Sequence, residues 1–165
     1  MSPVSQTQAY ELRRDFDRAF ARAPEQKDAH TADLLGITLF GAPYALKLGD
    51  VAGLYAGKKI ARVPASRPGL LGIAGFRGAI LPVYDLAALI GLPPSVRPKW
   101  LAVAKSGDVA IAFDSFDGHL RVPETEVAAN EYKDGPRRFV SHLTPSADGL
   151  RGVIDLDNAL KPVTA

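Results

Sequence analysis

No cysteine occurs in the chain, which excludes a disulfide framework and every thiolate metal site. Uncharged stretches long enough to span a bilayer are missing as well. The opening residues, MSPVSQTQAYELRRD, show no apolar signal region. These absences lead us to expect a soluble protein of a reducing, cytoplasmic compartment. Histidine is scarce: His30, His119 and His142 stand far apart, and none has a second ligand at metal spacing. No phosphate loop is present, because Gly57-Lys58-Lys59-Ile60 lacks both the glycine spacing and the hydroxyl. Asp114, Ser115 and His119 are residue types of a nucleophilic triad, but no nucleophile elbow surrounds Ser115. Glu124 and Glu126 sit beside Pro123 at strand-like spacing and read as a solvated face. With no metal, cofactor or catalytic constellation, the chain reads as a non-enzyme.

Acid is missing from one long stretch. Between Asp50 and Asp85 there is none, yet Lys58, Lys59, Arg62, Arg67 and Arg77 lie there. From Asp108 to Asp134 the balance reverses: Asp108, Asp114, Asp117, Glu124, Glu126, Glu131 and Asp134 face only Arg121 and Lys133. The net charge of +2 is too small to announce a nucleic-acid binder. The basic patch at residues 58–67 still admits one as a second reading, although only Tyr55 and Phe76 lie close enough in sequence to stack bases.

Apolar residues make up 47% of the 165 positions, enough to bury a core without staples. Leu12, Phe16, Ala19 and Phe20 follow helical spacing among charged neighbours and predict an amphipathic helix, ended by Pro24. Residues 1–32 thus read as an extension with a linker, and residues 33–165 as the folded domain. Within that domain the period shortens. Residues 34–40 (LLGITLF) and 44–48 predict a hairpin, residues 79–84 a buried strand, and residues 100–104 with 109–113 another hairpin. Pro82 argues that its strand is an edge or is bulged. Asp50 is expected to cap a helical turn over residues 51–54. Asp85 as N-cap and Gly91 beyond the end delimit a short helix. Asp155 begins another, expected to stop at Pro162.

Arg77-Gly78 followed by Asp85, and Arg151-Gly152 followed by Asp155, suggest an internal repeat in which an Arg-Gly turn enters a strand that exits through an aspartate-capped helix. Nine to eleven short strands with regular turn signals call for a mainly β fold of small barrel lobes. Glycine at Gly69, Gly72, Gly75 and Gly78 marks tight packing, a bulged corner or a groove that another backbone approaches.

The run GIAGFRGAILPVYDL resembles the signature of CheW-like domains. Gly72, Arg77-Gly78, Ile80, Pro82, Val83, Asp85 and Leu86 carry the match. LLGITLFGAPYAL, Val51 with Leu54, WLAVAKSGDVAIAF and GLRGVIDLDNAL fall in the family's order, so the likeness spans residues 33–162. Gly53 and Gly75 depart from the pattern. The resemblance implies two five-stranded barrel lobes with short helices. It also implies a non-catalytic adaptor that couples chemoreceptor tips to a CheA-type histidine kinase, or a divergent member that modulates a non-chemotactic pathway. On this reading Val51, Leu54, Gly72, Arg77 and Gly78 are the protein-binding residues, and the adaptor is recruited to receptor arrays.

Overall fold

A computed structural model describes residues 30–64 and 66–164; the N-terminal amphipathic stripe lies outside the described residues. The strands are β1 (Thr31–Leu39), β2 (Ala42–Lys47), β3 (Val51–Ala56), β4 (Leu70–Phe76), β5 (Ala79–Asp85), β6 (Trp100–Ala104), β7 (Ala110–Phe113), β8 (Ser115–Pro123), β9 (Ala128–Ala129), β10 (Val140–Ser146) and β11 (Gly149–Ile154). Two α-helices, α1 (Leu86–Leu89) and α2 (Leu156–Thr164), follow β5 and β11.

The strands form two sheets, ordered β8-β1-β2-β11-β10-β9 and β3-β6-β7-β5-β4. Each sheet joins two antiparallel hairpins through a parallel pair. In the first, β1–β2 meets β10–β11 along β2 and β11. In the second, β6–β7 meets β4–β5 along β7 and β5. The two lobes anticipated from the strand count are present, but they are curled sheets of six and five strands rather than closed five-stranded barrels. An outer strand bridges the gap in each. β8 passes through a 3-10 turn at Glu124–Glu126 into β9, which pairs with β10 at the far edge. β3 continues to Ala61, which exchanges two hydrogen bonds of 2.8 Å with Ile73 of β4. Pro123, which has no N–H, and Gly57, at φ 65°, kink the two bridging chains, so no continuous ladder seals either lobe.

The repeat is real but its register differs from the sequence reading. Leu70 pairs with Tyr84 as Val140 pairs with Ile154, and each pair precedes a bulge. The Asp85 N–H donates to the Gly69 carbonyl and the Asp155 N–H to the Phe139 carbonyl, both at 2.7 Å. Arg77 therefore corresponds to Ala147, and Arg151 corresponds to Leu81. Arg77-Gly78 forms a turn, whereas Arg151-Gly152 lies within β11. Dipeptide identity misled because the hairpin's hydrogen bonds, not its residue names, set the correspondence.

Three other expectations change. Residues 51–54 are strand, not helix, because Val51, Leu54 and Tyr55 find cross-strand partners on β6; the 3-10 turn lies earlier, at Leu48–Asp50. Pro82 sits in an interior strand and not at an edge, although the β4–β5 ladder is bulged close to it, opposite Val83 and Tyr84; β7 pairs only with Val83, Tyr84 and Asp85, so no ladder donor is missed at Pro82. Helix α2 runs through Pro162 to Thr164, whose hydroxyl donates to the Leu160 carbonyl and finishes the last turn.

Strand alternation distributes the core. Leu35, Ile37, Leu39, Leu46 and Ile154 from one sheet meet Tyr84, Ala102, Ile111 and Phe113 from the other, together with Leu86, Ile90, Leu156 and Leu160. The opposite faces fill each lobe: Leu34, Ala45, Val122 and Val153 in the first, Phe76, Leu81, Val83 and Leu101 in the second. Asp85, 1% exposed, fastens α1 by accepting from Ala87 N (3.1 Å) and Ser95 N (2.7 Å).

Gly72 has φ 152°, and a Cβ there would strike the Ala61 carbonyl, whereas one at Gly75 would meet nothing within 4 Å. Gly72→Ala is expected to cost at least about 2 kcal/mol and Gly75→Ala close to nothing, read as the shift in denaturation midpoint at constant slope. Burial raises the Asp85 pKa against the pull of its amide donors. A carboxyl with a raised folded pKa stabilises most below its unfolded value, and that contribution is lost as pH rises through the folded pKa. The penalty of Asp85→Asn, from one lost amide hydrogen bond, should therefore shrink between about pH 4 and neutrality. Chemical denaturation of both proteins across that range checks it.

Candidate functional site

The β4–β5 connection is a two-residue turn closed by the Phe76–Ala79 pair. Arg77 and Gly78 both take positive φ, 47° and 83°, the geometry that matches the twist of the flanking strands. Glycine adopts it freely. A β-carbon makes it costly at Arg77, by about 1 kcal/mol. The conformation leaves the arginine exposed at the tip of the second lobe. Among the described residues no hydrogen bond or ion pair engages its guanidinium.

Beside Arg77 lies a hollow of about 150 Å³ lined by Ala52, Gly53, Tyr55, Phe76, Ala79, Leu81, Val103 and Gly107. Its walls come from both edges of the five-stranded sheet, which the curl brings together. Tyr55 of β3 meets Phe76 of β4 edge-on, with ring centroids 5.0 Å apart. The Lys58 ammonium covers both rings at 5.3 and 5.1 Å and donates to the Gly75 carbonyl. A Cβ at Gly53 would lie 2.9 Å from the Tyr55 ring, so glycine is what allows that ring to fold back.

The residues singled out from the sequence do not form one face. Arg77 and Gly78 occupy the turn. Val51 and Leu54 are partly buried against the shared core. Gly72 is buried beneath Ala61 and is inaccessible to another chain's backbone. The sequence did not mark Gly53 and Gly107 as parts of the hollow, because no local pattern tells which strands curl together. Tyr55 and Phe76 were legible as aromatics near Lys58. Lys58 itself is engaged within the lobe's mouth, which withdraws one cation from the surface patch at residues 58–67.

The first lobe has a matching but differently charged end. Its turn carries Asp148, and Asp114 accepts from the Phe40 N–H at 3.3 Å. Arg151 points inside, where Gly36 leaves room for it. It donates to the Tyr44 carbonyl (2.7 Å) and to Asp117 (3.2 Å), and Asp117 also accepts from Thr38. Ile80 and Leu150, corresponding positions of the two units, are 72% and 63% exposed, and Phe40 is 65% exposed. A larger hollow of about 530 Å³ places Asp33, Asp50, Glu124, Lys47, Lys105 and His142 around an apolar floor. Burial, reinforced by Asp157, raises the Asp50 pKa there. Among the described residues no cluster of His, Asp or Glu has metal-binding geometry, and no helix is long and apolar enough to cross a membrane.

The model of the CheW-like domain matches residues 33–163. The chain belongs to the CheW-like domain family. Its similarity to the chemotaxis protein CheW of Thermotoga maritima is 29% identity over 108 residues, 64% of this chain and 72% of that protein. The fold resembles the crystal structure of the scaffolding protein TtCheW from Thermoanaerobacter tengcongensis, with a TM-score of 0.68 at 19% identity, over 79% of this chain and 92% of that one. CheW-like domains of this kind are scaffold and adaptor modules without catalysis, and the adaptor expectation therefore holds at the level of the family.

Lys58→Ala should lower stability by about 1 kcal/mol, since it removes a cation over two rings and a carbonyl's hydrogen bond. Lys59→Ala serves as the neutral control, and thermal unfolding of the two variants separates them.

Proposed function

We propose that this protein is a coupling scaffold of a bacterial chemosensory complex, held in the cytoplasm at receptor arrays. It joins a chemoreceptor's cytoplasmic tip to a CheA-type histidine kinase. The observation that carries this reading is the family match across nearly the whole described chain. The surface supports it. A scaffold needs exposed recognition elements on a rigid frame, and the second lobe presents Arg77 at a tight turn with Ile80 exposed two residues beyond it. The corresponding end of the first lobe presents Phe40, beside Asp114, and Leu150, beside Arg137. Two ends with different charged neighbours, each with an apolar anchor, suit two different partners. Arg77 and Gly78 are assigned to the receptor-facing surface, with Val51, Leu54 and Gly72 shaping the strands beneath it. The apolar lobe ends are assigned to the kinase.

The test uses membranes carrying the host's receptors together with its kinase. Wild-type protein should co-sediment and alter kinase activity. Arg77→Glu should lose co-sedimentation while its circular dichroism stays unchanged, because the side chain is exposed and makes no internal hydrogen bond or ion pair. Failure of the wild type to co-sediment overturns the scaffold reading. A wild type that co-sediments but silences the kinase identifies a blocker in place of a coupler.

A further inference from the structure

The first lobe holds a hollow of about 460 Å³ between the face formed by β2, β11 and β10 and the segment that joins β9 to β10. We propose that this hollow binds a small organic carboxylate with an apolar body, an aromatic or short aliphatic acid. The proposal goes beyond the scaffold reading and does not rest on it. Among the described residues that line the hollow, none is acidic. Arg137 is the charged one, and its guanidinium lies over the Tyr132 ring, 5.5 Å from the centroid. Among the described residues no hydrogen bond or ion pair engages that guanidinium. Tyr44, partly buried on β2, adds a phenol within the field of Arg137, and no described residue accepts its proton. Burial raises the phenol's pKa more than the guanidinium lowers it, so the hydroxyl is a donor at neutral pH.

The other walls are apolar: Val140 and Gly152 are buried, Pro43 and Leu143 half-buried, and Leu150 is 63% exposed. A Cβ at Gly152 would lie 3.2 Å from the Val140 methyls and 3.4 Å from the Tyr44 ring, so glycine leaves both side chains their places. Asn130 holds the remaining wall. It is 5% exposed, and its amide donates to the carbonyls of Tyr132 (2.9 Å), Arg137 (3.1 Å) and Val140 (2.9 Å). Its oxygen accepts from the Tyr132 N–H at 3.2 Å. The backbones of Tyr132 and Arg137 are thus set before a ligand arrives, which lowers the cost of binding. A guanidinium takes a carboxylate through two parallel hydrogen bonds, and the Tyr44 hydroxyl supplies a further donor. Apolar walls shelter that pair from water and strengthen it. The volume falls within the roughly 300–1,000 Å³ typical of small-molecule clefts. An inorganic anion would leave the apolar walls unused, and a neutral ligand would leave Arg137 unpaired, so the site selects for both features.

The experiment is titration calorimetry of the full-length protein with benzoate, 3-phenylpropanoate and hexanoate, each beside its neutral amide, and with inorganic phosphate. At least one of the acids should bind saturably at one site, at least about tenfold more tightly than its amide and than phosphate. Arg137→Gln should weaken that acid at least about tenfold, and Tyr44→Phe about three- to tenfold. Arg138→Gln removes a charge from the same turn, where the guanidinium stacks on Phe139 instead, and should leave the affinity unchanged. The comparison of acid with amide uses the wild-type protein alone and stands even where a variant misfolds. Absence of saturable binding by all the acids, equal affinity for acid and amide, or equal losses in the Arg137 and Arg138 variants overturns the proposal. So does wild-type affinity in Arg137→Gln. Phosphate binding as tightly as the acids overturns it in favour of simple anion binding. Tighter binding of an N-acetylated peptide ending in phenylalanine than of 3-phenylpropanoate overturns the small-molecule assignment in favour of a chain terminus. The titration contains neither receptor nor kinase, so each of these failures leaves the scaffold reading standing.

Discussion

One layer of side chains belongs to neither sheet alone, and the rest of the molecule is arranged around it. Leu46 and Ile154 arrive from one sheet, Tyr84 and Phe113 from the other, and Leu86 and Leu156 from the two short helices. All are essentially inaccessible to water. Burying each large side chain contributes about 1.5–3 kcal/mol, and neither curled sheet has enough interior of its own to do without that contribution. The first lobe's private cluster is four buried residues, Leu34, Ala45, Val122 and Val153. Separated lobes would expose the shared layer, so the two units stand or fall together.

That dependence explains why the repeated unit includes a helix. In each copy the chain leaves its hairpin through an aspartate whose N–H is tied back to the strand's start, and the following turns of helix drop leucines into the common layer. Asp85 satisfies two amides from a buried position, an arrangement in which the carboxylate's desolvation opposes its own hydrogen bonds. The interiors of the lobes have diverged more than the frame. Leu81 fills one where Arg151 enters the other, and the arginine is tolerated because Asp117 and two backbone carbonyls satisfy it.

A frame fixed in this way frees its turns for recognition. The turn residues Phe40 and Arg77 carry the two positive φ values among the described non-glycine residues, and each is exposed at a hairpin tip. Their strain is held by paired strands on both sides. The absence of acid across residues 51–84 leaves β3, β4 and most of β5 with no carboxylate to pair with Arg77.

Much of this was legible in the chain itself. Alternation and turn residues marked the hairpins, Asp85 and Gly91 marked both ends of α1, and the order of motifs around Arg77-Gly78 pointed to the family. These are local signals, set by backbone conformation and by which face of a strand is apolar, and they need only neighbours in sequence. Three matters needed the assembled molecule. The true register of the repeat depends on hydrogen bonds across a hairpin. The burial of Gly72 depends on Ala61 crossing over it. The hollow beside Arg77 depends on β3 and β4, opposite edges of one sheet, curling until Tyr55 meets Phe76. Local sequence cannot specify such curvature, because it is the outcome of packing both sheets onto one shared core.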